Sequence, residues 1–212
     1  MRLLDLFCGA GGAGMGYHRA GFEVTGVDIK PQPRYPFEFI QGDALEYLAA
    51  HGAEYDVIHA SPPCQRYSEQ TMKKYRGNHP DLIAPVRELL KTAGKQYIIE
   101  NVEAARSLLE NPVMLCGTMF SMNMWRHRYF ETSFHVGLTV PCHHGVYPEP
   151  VLITGTTRRK PENGGRFEYS AEQCRQESGL FWMTRTEMDE ASPPAYTEWI
   201  GKQLLAQMVM PL

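Results

Sequence analysis

A thiol follows a stiff stretch of chain: Ser61-Pro62-Pro63-Cys64-Gln65 comes directly after the apolar run that ends at Ala60. Two prolines fix the backbone and remove two N–H donors, so they hold the next side chain rigidly. A lone cysteine more often packs in a core than attacks a substrate, but a thiol displayed after Pro-Pro on a polar loop suits a nucleophile. The loop beyond sets Arg66, Lys73, Lys74 and Arg76 against Glu69. That local positive excess either closes on phosphates and eases ionisation of the thiol or is an ordinary solvated loop. A second reactive group lies further on, where Tyr97-Ile98-Ile99 delivers Glu100-Asn101-Val102. A partly buried carboxyl there can hold a proton for a ring nitrogen, or simply cap a helix.

A third feature opens the chain. In Leu4-Asp5-Leu6-Phe7-Cys8-Gly9-Ala10-Gly11-Gly12-Ala13-Gly14, the glycines at 9, 11 and 14 satisfy G-x-G-x-x-G before a stretch of helical length. Glycine permits a sharp turn and close approach of backbone to ligand, and the helix that follows offers unpaired N–H groups. Asp28 ends the next apolar run, about 20 residues beyond Gly9, where a ribose-binding carboxylate belongs. Gln41-Gly42-Asp43-Ala44 supplies a further acid that could accept an adenine amino group. A nucleoside-containing cofactor fits, and the pattern alone leaves a dinucleotide and S-adenosylmethionine both open. The glycines would equally serve tight packing, and Asp28 and Asp43 helix caps.

These groups need elements that bring them to one edge. Apolar runs at 3–7, 22–27, 37–40, 56–60 and 96–100 alternate with helical stretches at 10–20, 44–50 and 82–92. That order predicts an α/β fold with a doubly wound, mostly parallel Rossmann-like sheet covered on both faces. Ligands of such sheets bind beyond the carboxyl ends of the strands, where Gly9, Asp28, Asp43, Cys64 and Glu100 would all stand. After Val102 the alternation weakens, with a late strand predicted at 128–132. Residues 141–179 turn rich in Pro, Gly, His, Arg and Gln and read as a loop-rich insert, strand-like only at 151–154. Pro193 and Pro194 then open a helix over 195–208, with Trp199, Ile200, Leu204 and Met208 about a turn apart.

The 212 residues suffice for one well-buried core and an appendage. With 21 Lys+Arg against 24 Asp+Glu the net charge is -3, so any nucleic-acid surface must be local. No run approaches the roughly 20 apolar residues that span a bilayer, and Asp5 interrupts any leader-like stretch. A soluble, cytoplasmic protein is expected. The five cysteines, at 8, 64, 116, 142 and 174, form no C-x-x-C pair and suggest a reducing compartment rather than a disulfide framework.

In order, DLFCGAGG, the strand-end acid with its later GD, SPPCQ and ENV resemble the cytosine-C5 DNA methyltransferase family. The likeness extends to Trp125-Arg126-His127-Arg128-Tyr129-Phe130, similar to the family's R-x-R segment, and more loosely to Trp199-Ile200-Gly201. The resemblance implies that Cys64 adds to C6 of a flipped-out cytosine, that Glu100 donates to N3, and that Arg128, with Arg126, contacts the base or orients the Cys64 loop. It implies S-adenosylmethionine held by Phe7, Gly9, Gly11, Gly12 and Gly14, with Asp28 on the ribose, Asp43 on the adenine, and Asp5, Ile29, Ala44 and Pro62 completing the cofactor site. Ser61, Pro63, Gln65 and Ser68 would line the substrate side. Double-stranded DNA is the expected substrate and a restriction endonuclease a candidate partner; RNA, a free cytosine nucleotide and a non-catalytic relative are the alternatives.

The family usually has a larger target-recognition region. Here the division reads as a catalytic and cofactor-binding core over 1–132, a small recognition insert over 133–180, and a C-terminal segment over 181–212 that returns to the core. Specificity is therefore expected to be short or relaxed. Arg158, Arg159 and Lys160, near Gly164-Gly165, form a basic cluster fit for phosphates or a groove. Cys142, His143 and His144 with distant Cys174 could ligate zinc, but their spacing matches no standard site, and no metal is expected.

Overall fold

The computed structural model describes residues 1–68, 71–137, 139–151, 153 and 169–209, apart from the side chains of Lys73, Arg76 and Val209. The strands are β1 (Arg2–Leu6), β2 (Glu23–Asp28), β3 (Glu38–Gln41), β4 (Val57–Ala60), β5 (Gln96–Asn101), β6 (Val113–Leu115) and β7 (Arg128–Thr132). The helices are α1 (Gly12–Ala20), α2 (Ala44–His51), α3 (Lys73–Arg76), α4 (Ile83–Ala93), α5 (Ala171–Ser178), α6 (Arg185–Glu190) and α7 (Pro194–Val209). One sheet forms in the order β3-β2-β1-β4-β5-β7-β6. The first five strands pair in parallel, whereas β7 is antiparallel to both β5 and β6. No helix among the described residues is long and apolar enough to cross a membrane.

Side-chain alternation sorts each strand between two cores. Leu4, Leu6, Ile58, Ala60 and Ile99 pack with Leu48 of α2 and Val86 and Leu90 of α4. Leu3, Val24, Val57 and Ile98 face the other way, onto Tyr17 of α1 and Tyr196, Ile200 and Leu204 of α7. The doubly wound sheet read from the sequence is the one formed. On α7 the buried stripe is Tyr196, Ile200 and Leu204, and the predicted fourth member, Met208, is 43% exposed.

One expectation needs correction, and another, the strand over 151–154, falls partly outside the described residues. The 141–179 stretch is not all loop: α5 lies within it, started by a capping box in which Ser170 and Gln173 satisfy each other's backbone N–H groups. Val151 and Ile153 are buried, yet no strand includes them; residues 152 and 154 lie outside the described residues. With Met124, Cys174, Leu180, Met183 and Met188 they build a third small core against Ala10 of the glycine turn. Strand β6 was also unforeseen, since three residues carry too little pattern to stand out.

A buried ion pair fixes the late strand to the sheet's cover. Arg87 of α4 donates from Nε and Nη2 to the two oxygens of Glu131 on β7, at 2.8 and 2.6 Å. Its Nη2 also reaches the Leu108 carbonyl, and the Glu110 N–H donates to Glu131. Removing one partner strands a charge in the core, so Glu131→Ala should lower unfolding free energy by about 3–5 kcal/mol, whereas the apolar pair Arg87→Met with Glu131→Leu should cost much less. Urea unfolding of the two variants against the parent measures this.

Candidate active site

The carboxyl edge of the sheet carries the reactive groups. Leaving β4, the chain is pinned by the Ser61 N–H on the Leu6 carbonyl. Asn101, at the end of β5, donates from Nδ2 to the Pro62 carbonyl at 2.9 Å, a buried bond that holds the Cys64 loop against the strand bearing Glu100. After Cys64 the chain turns at once, with the N–H groups of Tyr67 and Ser68 both on the Cys64 carbonyl. Beneath it runs a buried relay, Tyr17 Oη to His59 Nδ1 and His59 Nε2 to Ser61 Oγ, each 2.9 Å. Burial lowers His59 to about 3, so its imidazole is neutral. Gln65 has a buried Oε1 with no partner among the described residues.

Glu100, 7% exposed, pairs with Arg128, whose Nε lies 2.9 Å from Oε1. Both act on Cys64: burial pushes the thiol above its ordinary value, the Arg128 charge pulls it down, and Glu100 and Glu190 push it up. The structure thus brings Cys64, Glu100 and Arg128 together. Arg126 is placed differently. Its Nη2 is spent on the Asp189 and Ala191 carbonyls, each at 2.8 Å, and burial lowers the guanidinium to about 9. It clasps the segment before α7 rather than facing Cys64, and its own carbonyl accepts from Tyr196 Oη.

At the glycine turn the backbone enters the left-handed region at Phe7, φ 57°, and at Gly9, φ 49°. Such a conformation is strained for phenylalanine and marks a turn shaped for close approach. Gly9 has open space where a side chain would be. Gly12 does not: a Cβ there would meet the Ser192 carbonyl at 2.5 Å, so this glycine is needed for packing of the C-terminal segment. Gly11 and Gly14 likewise back onto Tyr35, with Pro36 or Asp5. Trp182 Nε1 donates to the Ala10 carbonyl at 2.7 Å and Thr197 Oγ1 to that of Ala13 at 2.8 Å, closing the turn from behind.

Asp28 accepts the Gly9 N–H at Oδ2 and the Lys30 N–H at Oδ1. Beside it Ile29 is 66% exposed, an apolar surface next to a carboxylate. Asp43 caps α2, its Oδ1 accepting from Leu45 and Glu46. Asp5 and Ala44, by contrast, are enclosed. Asp5 supports the turn from beneath: Tyr35 Oη donates to its Oδ2, its Oδ1 lacks a partner among the described residues, and burial pushes it up to about 8. Arg158, Arg159 and Lys160 lie outside the described residues. Tyr35, His59, Asn101 and Trp182 complete the site without having been singled out from the sequence as site residues; the spacing of the motifs carries no signal for them, except that Asn101 sits within ENV.

The family model described as C-5 cytosine-specific DNA methylase matches residues 1–114. The chain belongs to that family. It is 27% identical over 131 residues to Type II methyltransferase M.AgeI of Thalassovita gelatinovora, 54% of this chain and 30% of that protein. It is 30% identical over 117 residues to Type II methyltransferase M.XorII of Xanthomonas oryzae pv. oryzae, 47% of this chain and 28% of that protein. It thus spans under a third of the length of these curated relatives. Among solved structures, the fold matches S. pombe Dnmt2 methyltransferase, with TM-score 0.63, 12% identity and 99% of each chain covered. Entamoeba histolytica methyltransferase EhMeth matches with TM-score 0.63, 14% identity and 98% of each chain.

Two titrations test these environments. Asp5 is ordinarily ionised above 3.8 but in the fold only above about 8, so its stabilising contribution is complete at low pH and is lost as pH rises through about 8. His59 works in the opposite sense, its contribution lost as pH falls from 6.5 towards about 3. Between about pH 6.5 and 8 His59 is neutral in both states, and other groups also titrate, so the difference isolates Asp5: the melting temperature of the parent relative to Asp5→Asn should fall across this window. Alkylation of Cys64 by iodoacetamide should show its inflection above the ordinary thiol range, moving higher in Arg128→Ala and lower in Glu100→Gln, as read by mass spectrometry across alkaline pH.

Proposed function

We propose that this chain methylates C5 of cytosine in double-stranded DNA through a covalent adduct with Cys64. The observation that carries the reading is the meeting of Cys64, Glu100 and Arg128, with the Asn101 bond to Pro62 holding thiol loop and acid strand together. A neutral pyrimidine is a poor electrophile, so attack at C6 needs a partner at N3 on the same ring.

The base must leave the duplex to reach this edge, at a cost of a few kcal/mol. The Cys64 thiolate adds to C6, forming a C–S bond as the C5=C6 electron pair shifts into the ring. Glu100 in its acid form gives N3 a proton, and Arg128 holds the carboxylate that results. C5 becomes nucleophilic and takes the methyl group, the donor sulfur leaving as a neutral thioether; loss of the C5 proton to water then expels Cys64 as thiolate, and N3 returns its proton to Glu100, which restores the neutral ring. The Oε1 of Gln65 is buried without a partner among the described residues, and Gln65, Ser61, Pro63 and Ser68 of the same loop would line the substrate side.

S-adenosylmethionine, when bound, supplies the methyl group as an electrophilic sulfonium. The residues fit it. Open space at Gly9 leaves room for close approach, each oxygen of Asp28 keeps a lone pair for a ribose hydroxyl, and exposed Ile29 offers an apolar face to adenine. Phe7 closes the same end of β1, and Asp43, its Oδ1 used by the cap, would accept the adenine amino group at Oδ2. Arg158, Arg159 and Lys160 are assigned to phosphates by charge and chain position alone. The family's description supports DNA as the substrate, a restriction endonuclease would be a companion for a protein similar to Type II methyltransferases, and residues 133–180 would serve target recognition.

Cys64→Ala should lower methyl transfer by about 10⁴-fold or more while S-adenosylmethionine binding persists. Duplex DNA containing 5-fluorocytosine should trap the parent as a protein–DNA adduct, because fluorine blocks the final elimination. Tritiated methyl transfer to duplex DNA, RNA and dCMP separates the substrates: label confined to RNA or to the nucleotide removes the DNA assignment, and undiminished turnover by Cys64→Ala removes the chemistry.

A further inference from the structure

Cys116, His127, Cys142 and His144 come from separate stretches of the chain, yet each presents a ligand atom and all four atoms lie within 4.8 Å of one another. Cys116 precedes the 3-10 turn after β6, His127 directly precedes β7, and Cys142 and His144 come from the loop beyond that strand. The short separations are 3.2 Å between the Nε2 atoms of His127 and His144, 3.4 Å from Cys116 Sγ to His144 Nε2, and 4.0 Å from Cys142 Sγ to His127 Nε2. Zinc bonds of about 2.0 Å to nitrogen and 2.3 Å to sulfur make tetrahedral edges of about 3.3 Å between nitrogens and 3.6 Å between nitrogen and sulfur. The observed contacts match these edges to within a few tenths of an ångström.

We propose that Cys116, His127, Cys142 and His144 bind one zinc ion as a closed structural site. Two thiolates balance the charge of the dication, and four protein ligands leave no open position for substrate. The surroundings are those of a metal-binding histidine: His127 turns its other nitrogen, Nδ1, towards Glu103 Oε2 at 3.5 Å, an outer carboxylate that fixes the tautomer. Thr118 Oγ1 donates to Cys116 Sγ, and its oxygen also accepts the His143 N–H, seating the loop. The His144 ring stacks on Trp125 at 4.4 Å and 9°. Two members of the set suggested by the sequence are displaced: His143 is exposed, and Cys174 is buried in the third core beside Arg185. The ion would fasten the loop carrying Cys142 and His144 to the root of β7, with His127 flanked by Arg126 and Arg128.

The test needs no assumption about activity. The full chain purified under reducing conditions should carry about one zinc by elemental mass spectrometry, and cobalt substitution should give the intense visible bands of a four-coordinate thiolate site. Zinc should shield Cys116 and Cys142, but not Cys64, from maleimide until a chelator is added, a readout requiring no variant. Cys142→Ser and His144→Ala, both on the outer loop, should lose the metal to a chelator that leaves the parent loaded. His143→Ala and Cys174→Ser should keep it. The proposal is overturned if zinc-supplemented protein holds no metal, if the two loop variants keep it, or if Cys116 and Cys142 are found joined as a disulfide.

Discussion

Arg128 reaches Glu100 because β7 runs against β5. In an all-parallel sheet the first residue of a strand lies at the far edge from the last residue of its neighbour; reversing one strand brings a beginning and an end together. The register sets Asn101 opposite Tyr129, so the start of β7 stands beside the end of β5. Two charges removed from water are costly unless paired; here Arg128 Nε lies 2.9 Å from Glu100 Oε1, in contact but without an aligned hydrogen bond. The far end of the same strand is held by a second Arg–Glu pair of opposite sense, Glu131 of β7 with Arg87 of α4. With Asn101 fastening Pro62, the thiol, the acid and the cation depend on one reversed strand.

The parallel half of the fold was legible because its strands are buried on both faces and its helices carry regular apolar stripes. The motifs were legible because they sit at strand ends, where the topology has little freedom to separate them. What escaped the sequence is instructive residue by residue. Strand β6 is too short for periodicity, although Ser170 with Gln173 and Thr184 with Glu187 were readable helix starts. Arg126 and Arg128 look alike in R-x-R, but β7 begins at Arg128 and Arg126 lies before it. Arg128 meets Glu100 and Arg126 the Asp189 and Ala191 carbonyls, a distinction the spacing cannot make. The Cys–His cluster has no compact spacing, since its ligands come from both sides of β7.

The glycine turn shows how one small residue can serve two ends. Gly9 has open space where a side chain would stand, whereas at Gly12 the chain's own Ser192 carbonyl already occupies that place. The same motif thus carries an open half and an inward-packed half. Counting glycines does not separate them; the neighbours do.

The bonds from Trp182 to Ala10 and from Thr197 to Ala13 join positions more than 170 residues apart. During synthesis the Cys64 loop and β5 emerge long before the residues that back the glycine turn, so in a nascent chain that turn stands without its buttress. It is completed only when the C-terminal segment arrives and α7 docks beside α1.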